Sequence, residues 1–221
     1  MLYAFVVTAI LITLAELGDK TQLLALGLAT KFKAWQVLIG ILIATLFIHL
    51  FSTLAGELVG RLIPTFWLSI VSGLLFVGFG IWTLTGDADP DAEEATKAAR
   101  FGPIVTTAIA FFLAELGDKT QIMTMTIAAD PAAVLRTFGS AGPAIDRFLA
   151  SVGLNAASLT PQQAFWGVWL GSTVGMMIAD GLAIIVGVVM GKTLPEKLIT
   201  RISGTIFILF GLFAIGSALM R

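Results

Sequence analysis

The nine residues Leu14-Ala15-Glu16-Leu17-Gly18-Asp19-Lys20-Thr21-Gln22 recur unchanged from Leu113 to Gln121, and both copies lie inside apolar runs long enough to cross a membrane. Two acids and a lysine therefore stand twice where charge is expensive. An ionisable side chain at the bilayer centre costs about 2.5 to 3.5 kcal/mol on insertion scales, so such residues are by default a functional hypothesis.

Working outward, 57% of the chain is hydrophobic and 12% charged, with a mean hydropathy of +0.98. Soluble domains carry roughly 25% charged residues, so the composition predicts an all-α integral membrane protein. At roughly 20 apolar residues per crossing, the 221 residues divide into six transmembrane helices: Tyr3 to Thr30, Trp35 to Val59, Phe66 to Thr85, Pro103 to Ala129, Phe165 to Met190 and Ile199 to Met220. The first span lacks a basic leading region and a small-residue cleavage site, and its partner sits mid-chain. It is expected to belong to the mature domain rather than to a cleaved signal. A net charge of -1 gives no basic footprint for a nucleic acid, and the absence of cysteine excludes disulfides and thiolate metal sites. No cofactor is expected.

The repeat extends beyond the motif. Thr8-Ala9-Ile10 matches Thr107-Ala108-Ile109 at the same offset of 99. Further on the offset is 131, aligning Trp35 with Trp166, Gly40 with Gly171, Gly56 with Gly187, Pro64 with Pro195, Ser72-Gly73 with Ser203-Gly204 and Phe79-Gly80 with Phe210-Gly211. The change from 99 to 131 is an insertion of 32 residues between the fourth and fifth spans. The chain therefore reads as a three-helix repeat at 1–86, an acidic cytoplasmic linker at 87–101, and a second three-helix repeat at 102–221 with an inserted loop at 130–163. An odd number of spans per copy forces the copies into opposite orientations. This is the inverted-repeat plan of many transporters, whose sites lie near the midplane at the repeat interface.

Loops after the first, third and fifth spans carry Lys31, Lys33, Lys97, Arg100, Lys192, Lys197 and Arg201, against Arg61, Arg136, Arg147 and Arg221 on the other side. The positive-inside rule puts the first set in the cytoplasm and both termini outside. The linker acids Asp87, Asp89, Asp91, Glu93 and Glu94 read as a solvated charged stretch, because an EF-hand would need Gly and Glu where Ala92 and Ala98 stand. In the insertion, Ala144 to Leu149 is a short apolar-periodic piece suited to an interface. Thr160-Pro161-Gln162-Gln163 reads as a capped helix start.

On a helix, Glu16, Asp19 and Gln22 are three apart and share a face, as do Glu115, Asp118 and Gln121. Should the inverted repeats bring the first and fourth spans together, four carboxylates, two amides and the Thr21 and Thr120 hydroxyls converge. Such a hard-oxygen cage suits Ca²⁺, Mn²⁺ or Mg²⁺, whereas copper or zinc would recruit thiolate or imidazole, and the chain has no Cys and only His49. Gly18 and Gly117 permit either close helix packing or a local break. Lys20 and Lys119 either balance the charge of one acid each or snorkel.

His49 and Asp180 are equivalent at the offset of 131. Asp180 reads as an extra ligand, a proton relay or a hydrogen-bonded structural acid, and His49 as a helix-contact residue or a proton-handling one. Met123, Met125, Met176 and Met177 read as packing, and Glu57 as interfacial. Clustered acids in low dielectric need either a cation or protons, and mutually exclusive occupancy by the two is the physical basis of antiport. Exporting a divalent ion against ~100 mV costs about 4.6 kcal/mol, and two inward protons would cancel that electrical term. The bland alternative is a helix-packing polar cluster in which Glu and Lys satisfy each other.

The doubled motif Glu-x-Gly-Asp-Lys-Thr, at Glu16 to Thr21 and Glu115 to Thr120, resembles the signature of the Gdt-one family, whose animal member is transmembrane protein 165. The similarity covers the whole chain in size, span number and twofold motif. It implies a secondary active transporter, not an enzyme, that exchanges Mn²⁺ or Ca²⁺ for protons, with Mn²⁺ favoured by the bacterial relatives. It also implies Glu16, Asp19, Glu115 and Asp118 as the cation-binding acids, and a bacterial plasma-membrane location. The expected partners are the divalent cation, protons and the lipid bilayer.

Rival readings are a passive divalent-cation channel, an amino-acid exporter, and an intramembrane aspartyl protease with Asp19 and Asp118 as its dyad. Such proteases pair Gly-Asp with a Tyr-Asp on another span, and the only tyrosine here is Tyr3. A zinc peptidase would need His-Glu-x-x-His, which is missing from the sequence.

Overall fold

The computed structural model of the chain describes residues 1–85, 102–131, 134, 151, 159–190 and 196–220. Within them it is all-helical, with eight helices: α1 (Leu2–Glu16), α2 (Lys20–Lys31), α3 (Ala34–Leu62), α4 (Thr65–Thr85), α5 (Pro103–Glu115), α6 (Lys119–Ala129), α7 (Pro161–Met190) and α8 (Glu196–Leu219). Asp87 to Glu94 and Ala144 to Leu149 lie outside the described residues.

The expected first and fourth spans are not continuous helices. α1 stops at Glu16 and α2 restarts at Lys20, bent by 81°. α5 stops at Glu115 and α6 restarts at Lys119. The cause is the glycine inside each motif, Gly18 at φ +82° and Gly117 at φ +85°. L-residues avoid this left-handed region, at a cost of about 1–2 kcal/mol, whereas glycine enters it freely. Of the two roles open to these glycines from sequence, the backbone takes the break.

At 1.5 Å per residue, the 29 residues of α3 reach about 43 Å, beyond the ~30 Å hydrocarbon core. Among the described residues α3 and α7 are long and apolar enough to cross a membrane, and the bent pair α1–α2 makes a third if it is one span. α3 shows how such a helix meets lipid. Phe47, Phe51, Leu54 and Leu58 form an exposed stripe, while Thr45, His49, Ser52 and Thr53 are buried on the other side. Polar residues inside and apolar ones outside reverse the soluble pattern. The inner hydroxyls are satisfied along the helix, Ser52 donating to the Ile48 carbonyl at 2.8 Å and Thr53 to that of His49 at 2.7 Å.

Packing exchanges elements between the halves. α1 and α2 lie against α7, and α5 and α6 lie against α3. α4 pairs with α8 through glycines: a Cβ on Gly73 would sit 2.9 Å from the Gly211 carbonyl oxygen, and one on Gly204 2.9 Å from that of Gly80. Thr13 on α1 donates to the Gly175 carbonyl on α7 at 3.0 Å, and Trp169 on α7 donates its indole N–H to the Leu46 carbonyl on α3 at 2.9 Å. The start of α7 is the expected cap, with Gln163 N–H donating to Thr160 Oγ1 at 3.2 Å and Thr160 N–H to Gln163 Oε1 at 3.3 Å. Met123 and Met176 are packed in one hydrophobic core with Leu11, Ile12 and Phe76. Glu57 pairs with Arg61 on the surface of α3, at 2.6 Å.

Candidate cation site

Each break puts its glutamate on the last residue of one helix and its aspartate at the cap of the next. The same local wiring holds both breaks open. Gly18 N–H donates to Gln22 Oε1 at 3.0 Å, and Gly117 N–H to Gln121 Oε1 at 2.7 Å. Thr21 donates to Glu16 Oε1, and Thr120 to Glu115 Oε2 at 3.0 Å. The glutamines and threonines expected as auxiliary ligands thus brace the break and orient the glutamates. Gln22 goes further and donates its amide to the Ala179 carbonyl on α7 at 3.2 Å, one residue before Asp180.

The two motifs meet. Glu16, Asp19 and Asp118 each offer a carboxylate oxygen, and these atoms lie within 4.8 Å of one another. Three oxygens within that span sit no more than about 2.8 Å from a common point, close to the 2.0–2.6 Å reach of hard divalent cations, so a small inward movement would bring all three into contact with one ion. Asp19 makes no side-chain cap to α2 and instead accepts from the Lys119 ammonium, across from the other motif. Glu16 feels the charges of Glu115, Asp19, Lys119 and Asp180, and Glu115 those of Asp118, Asp19 and Asp180. Five carboxylates therefore share one buried neighbourhood, with Lys119 as the cation among its described side chains. The side chain of Lys20 lies outside what the structure describes.

Among the described residues, Glu16 Oε2, Glu115 Oε1, Asp118 Oδ2 and both oxygens of Asp180 are buried without a hydrogen-bond partner. Buried polar atoms are normally paired, and a cation or protons would supply the partners that these acceptors lack. His49 stands apart, on α3, with Nδ1 3.2 Å from the Thr124 hydroxyl of α6. The sequence reading passed over Thr124; its position one turn beyond Thr120 on the same helix was the available signal.

The chain matches, over residues 4–91, 103–153 and 148–221, the family described as the divalent cation/proton antiporter GDT1. It belongs to the GDT1 family. Members of the GDT1 family are transporters, which removes the peptidase reading. A Vibrio cholerae protein named "Putative manganese exporter" is 33% identical over 205 residues, covering 91% of this chain and 84% of its own. A GDT1-like protein of Synechocystis is 28% identical over 229 residues, 95% of each chain. GDT1-like protein 5 of Arabidopsis thaliana is 24% identical over 248 residues, 96% of this chain and 95% of its own. No solved structure matches the chain.

Proposed function

We propose that this GDT1 protein exchanges a divalent cation, Mn²⁺ foremost and Ca²⁺ as the alternative, for protons, exporting the cation from the cytoplasm across a bacterial plasma membrane. The observation that carries the reading is the meeting of Glu16, Asp19 and Asp118, from both motifs, around one cation-sized point. Glu115 is the fourth acid, held by Thr120, and Asp180 is a fifth ligand candidate, near enough to the first motif to feel the charge of Asp19. Manganese is favoured by the name of the Vibrio relative, and proton exchange by the family description.

In this reading the chain has six spans in two inverted repeats, with α1–α2 and α5–α6 as broken spans and both termini outside. The reciprocal packing of each broken pair on the long helix of the other half supports that plan. Lys119 is the resident counter-charge. With no cation bound it neutralises Asp19, and an arriving Mn²⁺ displaces it, so the site never holds all its carboxylates bare. Carboxylates cannot ligate a cation and carry protons at once, so release of Mn²⁺ to one side is coupled to protonation from that side.

The test is a proteoliposome assay with an internal pH dye, adding Mn²⁺, Ca²⁺ or Mg²⁺ to the wild type, Glu16→Gln and Asp118→Asn. Proton movement that follows one ion and is lost in both variants is the expected result. Cation uptake without proton movement would instead establish a channel.

A further inference from the structure

One turn of α7, at 175–179, straddles the first break. On the α1 side the Thr13 hydroxyl donates to the Gly175 carbonyl at 3.0 Å, and on the α2 side the Gln22 amide donates to the Ala179 carbonyl at 3.2 Å. Both carbonyls belong to an unbroken helix and already accept along it, so each gives its second lone pair to the tether. The Gln22 amide has one satisfied orientation. Its Oε1 takes the Gly18 N–H at 3.0 Å, and a flip would set oxygen against the Ala179 oxygen. Backbone approach completes the seat, since a Cβ on Gly175 would come within 2.6 Å of the Ala9 carbonyl oxygen. The residue after this turn is Asp180, fully buried, with both carboxylate oxygens bare among the described residues. The second half lacks the arrangement. At the repeat offsets Thr13 becomes Phe112, which has no hydroxyl to donate, and Gln22 becomes Gln121, which among the described residues bonds the Gly117 N–H alone. The position of Ala179 is Ile48, whose carbonyl accepts from Ser52, and that of Asp180 is His49. Tether and carboxylate occur together in one half and are missing together from the other.

We propose that Gln22 and Thr13 are positioning residues that fix this turn of α7 across the first break and so deliver Asp180 to the bound cation as a ligand; the inference rests on the cation reading above. Ala179 and Asp180 are consecutive in a rigid helix, so a bond that holds the carbonyl of one holds the root of the other. Asp180 is within electrostatic reach of Glu16, Asp19 and Glu115. Gln22 itself is no ligand, because its Nε2 is a donor turned to Ala179 and its Oε1 is engaged by the Gly18 N–H. Bonds that orient a metal ligand from behind are commonly worth about 10- to 100-fold in metal affinity. The ion is then held by the trio of Glu16, Asp19 and Asp118 with one further carboxylate from α7, whereas α3 presents His49 at the matching position.

A double-mutant cycle on the full-length protein, read by calorimetric titration with Mn²⁺ at fixed pH and by thermal melts, tests the tether. Gln22→Met, Thr13→Val and Gln121→Met are each made alone and together with Asp180→Asn. Asp180→Asn and Gln22→Met are each expected to weaken Mn²⁺ binding by about tenfold or more, and Thr13→Val, which removes one hydroxyl, by about threefold. In the Asp180→Asn background, Gln22→Met and Thr13→Val are expected to leave the Kd within about twofold of Asp180→Asn alone, which a general loosening of the fold would not do. Gln121→Met loses the matching brace of the other break without a bond to a long helix, and is expected to have the same effect in both backgrounds. Thr13→Val carries the cycle if the melts show that Gln22→Met does not fold. Equal losses in both backgrounds, wild-type affinity in Gln22→Met and Thr13→Val, or coupling to Asp180 as large for Gln121→Met as for Gln22→Met each overturn the positioning role while leaving the trio as the cation site. Wild-type affinity in Asp180→Asn overturns its part as a ligand and the inference with it. A wild-type protein that binds no Mn²⁺ overturns the cation reading itself.

Discussion

The Lys119 ammonium of the second motif is bonded to the Asp19 carboxylate of the first, with only 11% and 17% of the two side chains exposed. This ion pair thus ties together the two copies of the sequence repeat at the point where they meet. Breaking a buried pair by removing one partner leaves the other charge uncompensated, at a cost of about 3–5 kcal/mol. Lys119→Met is therefore expected to lower the melting temperature in the absence of metal, and Mn²⁺ to recover it. Its Mn²⁺ affinity should tighten by about tenfold, ~1.4 kcal/mol, since the competitor for Asp19 is gone. Unchanged or weakened binding in a titration of the folded variant would show that Lys119 is no competitor.

Glu16→Gln and Asp118→Asn each remove one carboxylate from the trio around the proposed cation point. Loss of one charge-assisted contact, ~1.5–3 kcal/mol, predicts Mn²⁺ binding weaker by roughly 10- to 100-fold. Glu115→Gln should affect affinity less than either and flux more, because Glu115 lies beside the trio and is held by Thr120. Equal losses of affinity in all three would place Glu115 among the ligands.

Gly117→Ala tests the break itself. A Cβ there meets nothing within 4 Å, so the cost is conformational rather than steric. An alanine forced to φ +85° costs about 1–2 kcal/mol, and relief comes by straightening the helix and moving Asp118. The expected outcome is a modest loss of stability with a disproportionate loss of flux, and partial tolerance of Gly117→Asn, since asparagine visits the left-handed region more readily. A Gly117→Ala protein with full flux would rule the break out as a requirement for transport.

The glutamines are wired unequally. Gln121 braces its glycine N–H, whereas Gln22 braces Gly18 and also holds the Ala179 carbonyl. Each buried group left unpaired costs ~1–3 kcal/mol. Gln22→Leu should therefore destabilise more than Gln121→Leu in matched thermal melts, and equal effects would mean the Ala179 bond contributes nothing.

In the proposed exchange, protons and cation compete for the same oxygens, so Mn²⁺ affinity is expected to rise with pH. Each proton displaced adds up to one decade of affinity per pH unit. Isothermal titration between about pH 6 and pH 8 is expected to give a slope of at least one, and the slope counts the protons exchanged per ion. A flat profile sinks mutually exclusive occupancy.

The sequence determined the helical membrane class and displayed the repeat with its duplicated acids, because hydropathy and spacing are local properties and a duplicated nine-residue motif needs no geometry to be seen. It also specified the cap at Thr160, whose partner is three residues away. What it left open was each glycine's choice between packing and breaking, since both uses call for the same missing side chain. It took the folded chain to show that the helices break at Gly18 and Gly117, that Lys119 reaches Asp19 rather than an acid of its own motif, and that Thr124 faces His49. The last two relationships join residues 100 and 75 positions apart. They depend on how broken helices from one half seat against long helices of the other, which no periodicity within a segment encodes.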